Sequence, residues 1–288
     1  MDIRERIRSF GDAQTLEAYD GALAAYVALH EREPYAGLRV ERDLAYGDDP
    51  RQRLNVFVPD DRGSAALPLI VFAHGGGFVR GDKQMPGAPY YDNAGVWAAR
   101  NGFIGITINY RLAPAHRWPA GPDDIAAVLA WMTAYVAGYG GSLEHVFLMG
   151  HSAGAAHIGS YLARRDVGGY APFDLRGAIL MSGLYEIPTV ERSEALDAYY
   201  GTTASEREAG SSLAGLARTA TRLLVVNAEF DARVFHEQGL ALLTVRFAEH
   251  GRLPSFVCLP DHGHLSEIAH LNATDDLLGR AILAFTAP

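Results

Sequence analysis

The chain has 288 residues, 49% of them hydrophobic and 20% charged, the composition of an ordinary globule with material for one large α/β domain. A net charge of −9 with only scattered arginines argues against nucleic acid as a partner, and no apolar run approaches the roughly 20 residues that cross a bilayer. The single cysteine, Cys258, rules out an internal disulfide; in the apolar run Phe256–Leu259 it is expected to be a buried, inert thiol.

In chain order, residues 1–36 place Leu16, Tyr19, Leu23, Tyr26 and Val27 at three- and four-residue spacing, which predicts helix up to Pro34. Met1–Arg6 lacks an apolar signal core, so a cytoplasmic location is expected. Leu38–Leu44 and Arg53–Val58 flank the turn signal Gly47-Asp48-Asp49-Pro50 and predict an antiparallel hairpin. Short apolar strands then alternate with helices. The strands are Leu69–Ala73, Phe103–Asn109, Val146–Met149, Ala178–Ser182, Leu223–Ala228 and Phe256–Leu259; the helices are Asn93–Arg100, Asp123–Ala137, Ala153–Arg164, Phe235–His250 and Asp275–Phe285. This alternation predicts a mostly parallel sheet of eight strands, covered by helices on both faces, with the leading hairpin as its antiparallel part. The interval 183–222 spans about forty residues, too long for a plain crossover, and is expected, with residues 1–36, to form a small helical cap on a domain covering 37–288.

Gly150-His151-Ser152-Ala153-Gly154 joins a predicted strand to a predicted helix. A G-x-S-x-G in that setting is a nucleophile elbow: the turn strains the serine backbone and lifts its hydroxyl above the sheet edge. His74-Gly75-Gly76-Gly77-Phe78 follows Leu69–Ala73, and its unshielded glycine amides, with that of Ala153, suit an oxyanion hole. His74 is expected to brace this loop. An activated serine needs a base and an orienting carboxylate, in the chain order Ser, acid, His. After Leu223–Ala228 come Glu229 and Asp231; after Phe256–Leu259 come His262 and His264. Asp231 is favoured because Glu229 directly extends the strand, and His264 because it lies nearer the following helix. They stand 79 and then 33 residues further along the chain than Ser152 and Asp231, intervals that suit loops on successive strands. The H-x-H of His262 and His264, near Asp261, lacks a third ligand at a diagnostic spacing, so no metal and no other cofactor is expected.

On these residues, together with Asn109-Tyr110-Arg111-Leu112-Ala113-Pro114, the chain resembles the α/β-hydrolase superfamily, and within it the hormone-sensitive-lipase-like carboxylesterases, over residues from about 54 to 270. The resemblance implies Ser152, Asp231 and His264 as catalytic triad, Gly76, Gly77 and Ala153 as oxyanion donors, a structural role for Tyr110–Pro114 under the HGGG loop, and a supporting helix N-terminal acid at Asp123 or Asp124. That branch usually carries Asp before the serine; His151 is instead similar to feruloyl-esterase-like and arylformamidase-like relatives. The implied activity is hydrolysis of small acyl or aryl esters through an acyl-enzyme. An arylformamidase-type amide hydrolase is the alternative, and a non-catalytic small-molecule receptor on the same fold is a third reading. Phe78, Val79, Tyr90, Tyr91, His151, Leu184, Tyr185, Tyr199 and Tyr200 are candidate substrate contacts. The expected partner is a small-molecule ester, with a homodimer as the candidate assembly.

Overall fold

Period-two burial organises the centre of the molecule. In the strand Leu67–Ala73, Leu69, Val71 and Ala73 face one apolar cluster while Ile70 and Phe72 face another. A strand buried on both sides has no polar face to alternate with, which is why it reads as a continuous apolar run. The computed structural model describes residues 2–13, 15–61, 63, 65–85, 87–168 and 172–287, with side chains of 166–168 left aside.

The strands are β1 (Leu38–Ala45), β2 (Arg53–Pro59), β3 (Leu67–Ala73), β4 (Ile104–Ile108), β5 (Gly141–His151), β6 (Gly177–Met181), β7 (Leu223–Phe230) and β8 (Ser255–Gly263). They form one sheet in the order β1-β2-β4-β3-β5-β6-β7-β8. β2 pairs antiparallel with both β1 and β4, and every other pairing is parallel. The fold is the expected one, an α/β-hydrolase sheet with an antiparallel leading hairpin.

The helices are α1 (Ile3–Phe10), α2 (Leu16–Tyr26), α3 (Asp92–Arg100), α4 (Ala120–Tyr135), α5 (Ala153–Gly168), α6 (Glu194–Tyr200), α7 (Ala204–Gly210), α8 (Leu213–Arg218), α9 (Arg233–His250), α10 (Ser266–Ala269) and α11 (Leu277–Thr286). One core cluster joins the sheet to α4, α5 and α9, through residues such as Val128, Ile158 and Leu242. The other joins it to α2, α3 and α11, through Tyr26, Trp97 and Ile282.

Two expectations need correction. The N-terminal helical segment ends with a short 3-10 turn at Val27–Leu29, before Pro34. Cys258 is exposed, because β8 is the outer strand of the sheet and lacks cover on that side. At the sheet edge α2 supplies side chains over the elbow, while the interval 183–222 carries three short helices and packs in one apolar cluster with Phe78, Ala153 and Ala156. In that interval α8 lies against α5 and α9, and Tyr199 and Tyr200 of α6 pack on Phe78. No helix among the described residues is long and apolar enough to cross a membrane.

Candidate active site

Ser152 stands between the end of β5 and the start of α5 with φ +55°, a left-handed conformation that a side chain adopts only under constraint. Its amide donates to the Met181 carbonyl at 2.8 Å, tying the turn to β6. Close packing accounts for the flanking glycines. A Cβ on Gly154 would sit 2.1 Å from the Ala73 carbonyl oxygen, and one on Gly150 would sit 2.6 Å from the Gly154 backbone. The elbow therefore wedges α5 against the end of β3, which brings the HGGG loop beside the serine. The Cβ position of Gly75 lies only 3.3 Å from Ser152 Cβ. Among the described residues, the amides of Gly76, Gly77 and Ala153 donate to no protein acceptor.

His74 braces that loop, as expected. It is fully buried, with Nδ1 2.6 Å from the Gly75 carbonyl, and its ring stacks on Tyr110 at 4.4 Å. Burial pushes its imidazole down to about 4, so it is neutral at physiological pH. The Tyr110 hydroxyl donates to the His74 carbonyl at 2.8 Å, and Ala113 N–H donates to the Phe78 carbonyl at 3.0 Å. Asp124 in turn holds the Tyr110–Pro114 segment, accepting from Arg111 N–H at 2.7 Å, Arg111 Nε at 2.9 Å and Gln52 at 2.7 Å. Asp123 faces outward and pairs with Arg164. Of the two candidate acids, Asp124 is the one under the loop.

The ambiguity between neighbouring acids and histidines resolves by contact. Glu229 accepts from the Asp261 amide at 2.7 Å, a bond between the ends of β7 and β8 on the exposed side. Asp231 is buried and accepts from His264 Nδ1 at 2.9 Å, Ser182 Oγ at 2.6 Å and Ala228 N–H at 2.9 Å. Burial alone would raise its carboxyl, but the His264 bond and charge, with the Ser182 and Ala228 bonds, outweigh it and hold the group below its usual value. His262 points into the core, stacked on His270 at 3.9 Å, where burial pushes it down to about 2. His264 points the other way and stacks on Phe235 at 4.2 Å. β8 ends at Gly263, so His264 lies beyond the strand and is not held to the face of His262.

Ser152 and His264 both line a cavity of about 460 Å³. Its floor is Gly75–Gly77, His151 and Ser152; its walls are Arg80–Asp82, Met85, Tyr91, Phe235 and Leu265; its roof is Leu16, Tyr19, Asp20 and Leu23 of α2. Ser152 Oγ makes no hydrogen bond among the described residues, so the serine–histidine bond is open here. Catalytic hydrogen bonds of this kind are often long without substrate.

Of the candidate substrate contacts, Tyr91 and His151 reach the cavity. Phe78, Leu184, Tyr199 and Tyr200 do not: they form an apolar cluster with α6, in which Phe78 and Tyr199 stack at 4.8 Å. Val79 packs against the same cluster. Tyr185 is core, and the Tyr90 hydroxyl donates to the Leu23 carbonyl at 2.7 Å. Aromatic side chains near a loop fit a core as readily as a pocket, and here most joined the core. Sequence reasoning missed the α2 residues, Arg80, Met85 and Phe235. Only α2 carried a signal, the spacing of Leu16, Tyr19 and Leu23, with Leu16 left 66% exposed.

One grouping of potential metal-ligand side chains occurs among the described residues. His151, His264 and Glu267 bring an atom each within 4.8 Å of one another. Two are already engaged, His264 Nδ1 with Asp231 and His151 Nε2 with the His264 carbonyl at 2.8 Å.

A family model described as alpha/beta hydrolase fold matches residues 70–264. The chain belongs to this family. It is 34% identical to the esterase LipC of Mycobacterium tuberculosis over 113 residues, covering 39% of this chain and 27% of that protein. It is 32% identical to the para-nitrobenzyl esterase of Bacillus subtilis over 173 residues, covering 54% of this chain and 34% of that protein. The matches thus span about a third of those relatives' own length. Esterase B of Lactobacillus rhamnosis superposes with a TM-score of 0.77 at 20% identity, over 99% of this chain and 96% of that one, a likeness of fold.

Proposed function

We propose that the chain is a serine carboxylesterase acting on small acyl or aryl esters. The observation that carries this reading is the convergence of Ser152, on its strained elbow, with the Asp231–His264 pair on one cavity floored by free glycine amides. In this mechanism Ser152 Oγ attacks the ester carbonyl as His264 Nε2 takes its proton. Asp231 holds Nδ1–H and so fixes the imidazole tautomer and stabilises the imidazolium. The amides of Gly76, Gly77 and Ala153 receive the oxyanion; losing one such donor typically costs about 100- to 1000-fold. His264 then protonates the leaving alcohol, and water hydrolyses the acyl-enzyme through the same groups.

The size and lining of the cavity support a compact substrate, and α2 serves as its lid. Segments 1–36 and 183–222 divide the cap role: the first covers the site, and the second buttresses Phe78 and the loop behind it. The test is turnover of a p-nitrophenyl ester series of rising acyl length, with N-formylkynurenine as the amide competitor. The reading expects turnover of the acetate and butyrate esters, falling for long acyl chains, and none for Ser152→Ala. Full turnover by S152A overturns it; preference for the formamide moves the chain to the amidase reading.

A further inference from the structure

Behind the Asp231–His264 pair lies a buried polar group that the mechanism above does not use. His151 is 1% exposed and Glu267, in α10, is 0% exposed. Glu267 Oε1 lies 3.1 Å from His151 Nε2, yet neither Glu267 oxygen has a well-formed hydrogen bond among the described residues. The Ser182 hydroxyl lies within its electrostatic reach without a well-formed hydrogen bond to it, and donates to Asp231 Oδ2 at 2.6 Å. His264, a ring nitrogen of which lies within 4.8 Å, is the other histidine beside Glu267; the remaining titratable groups whose charges reach it, Asp231, Tyr185 and Cys258, include no cation.

We propose that His151, Ser182 and Glu267 are positioning residues: a proton-ordered set of buried contacts that orients the His264–Asp231 pair from behind. The order of the protons follows from one fixed charge and one fixed acceptor. The His264 backbone carbonyl can only accept, so the His151 nitrogen 2.8 Å away, Nε2, carries the proton. A neutral imidazole has one N–H, so Nδ1 is bare; it has no partner and rests against Gly75, whose Cβ position is 2.8 Å away. A doubly protonated His151 paired with an ionised Glu267 would leave Nδ1–H buried without an acceptor, a costly arrangement. Ser182 meanwhile donates its only hydrogen to Asp231, so toward Glu267 its oxygen can only accept. Glu267 therefore acts as a carboxylic acid donating to Ser182, in keeping with burial and the Asp231 charge, which hold its proton well above the usual carboxylate range. Every donor thus points toward Asp231 or the His264 main chain. His151 also spans from the HGGG loop to the histidine loop, so one ring spaces the oxyanion amides from the base.

This inference takes the triad reading as given, and its test separates the two. Infrared difference spectra of the full chain at neutral pH, wild type minus E267Q, should show the C=O stretch of a protonated carboxylic acid, whether or not the protein turns over ester. In steady state, E267Q keeps a donor toward Ser182. It should leave kcat within about twofold and the acid limb of the kcat/KM profile unmoved. E267L, which removes the donor, should lower kcat about tenfold at unchanged KM. H151F should do the same, with H151Q restoring most of the loss. Absence of the carboxylic band, an acid limb displaced downward in E267Q, or H151F with wild-type kcat would each overturn the proposal. Should the His151 or Leu variants fail to fold, the band and the E267Q profile still decide.

Discussion

Replacing Asp231 by Asn should cost about four decades in kcat/KM, and the structure says why. Two of the donors facing the carboxylate, Ser182 Oγ and Ala228 N–H, converge on Oδ2, while His264 Nδ1 faces Oδ1 at 2.9 Å. An Asn side chain would satisfy the first two by placing its carbonyl oxygen at Oδ2, which puts its NH₂ against His264. The imidazole must then present a bare Nδ1 to that amide, leaving the proton on Nε2, the atom that has to take one from Ser152. Loss of the charge-assisted bond accounts for about 2 kcal/mol. The inverted tautomer and the lost stabilisation of the imidazolium bring the total to about 5 kcal/mol, or about 10⁴ in rate. The assay is initial-rate hydrolysis of p-nitrophenyl acetate, with melting temperature as the control for folding. Glu229→Gln, altering a carboxylate that serves only the Asp261 amide, should stay within about twofold of wild type. A D231N enzyme within tenfold of wild type, or an E229Q enzyme as damaged as D231N, would refute the reasoning.

Other consequences follow from the same contacts. Burial depresses His74 to about 4, His151 and His157 to about 3 and His262 to about 2. Between those values and the ordinary value near 6.5, only the unfolded chain takes up protons at these sites, so stability falls as pH drops through that window. Each histidine contributes up to about 1.4 kcal/mol per pH unit; chemical denaturation midpoints should drop steeply from pH 7 to pH 5, and a flat profile would contradict these burial assignments. Asp124→Ala leaves Arg111 and Gln52 without their shared buried acceptor and should cost about 3 kcal/mol in urea unfolding, with activity reduced through the displaced HGGG loop. An unchanged unfolding midpoint would show that Tyr110–Pro114 needs no such anchor. Leu16→Ala removes an exposed side chain from the cavity roof, so it should leave stability within about 0.5 kcal/mol while raising KM for aryl esters. Unaltered KM across the ester series would remove α2 from the substrate site.

The fold was legible because its signals are local. Leu69–Ala73 and Ala178–Met181 announce themselves as apolar runs bounded by turns, and the glycines of the elbow are dictated by backbone approach at Ala73 and Gly154. Boundaries shifted where edge position or proline blurred them. α4 starts at Ala120 because Pro122 is tolerated in a first helical turn, and β8 runs through Pro260 because an outer strand can spare an amide. The site was legible only where chemistry forces a residue type. Ser152, Asp231 and His264 were proposed from chain order and loop position, and His262 parts from His264 where β8 ends at Gly263. The cavity walls carry no such constraint. Their roof comes from α2, more than 120 residues before the elbow, and any apolar side chain of suitable size fills that role. Ser182 and Glu267 were invisible for a related reason: a serine and a glutamate acquire their meaning only once β6, β7 and α10 place them beside Asp231.

The reactivity of one hydroxyl, that of Ser152, separates a serine hydrolase from every other reading of this fold. Incubation of the intact chain with a fluorophosphonate, followed by intact-mass and peptide mass spectrometry, reads that hydroxyl without any assumption about the natural substrate. One adduct per chain, on Ser152, lost in S152A and slowed in D231N, is the predicted result. An unlabelled chain, or an adduct on a different residue, would contradict it.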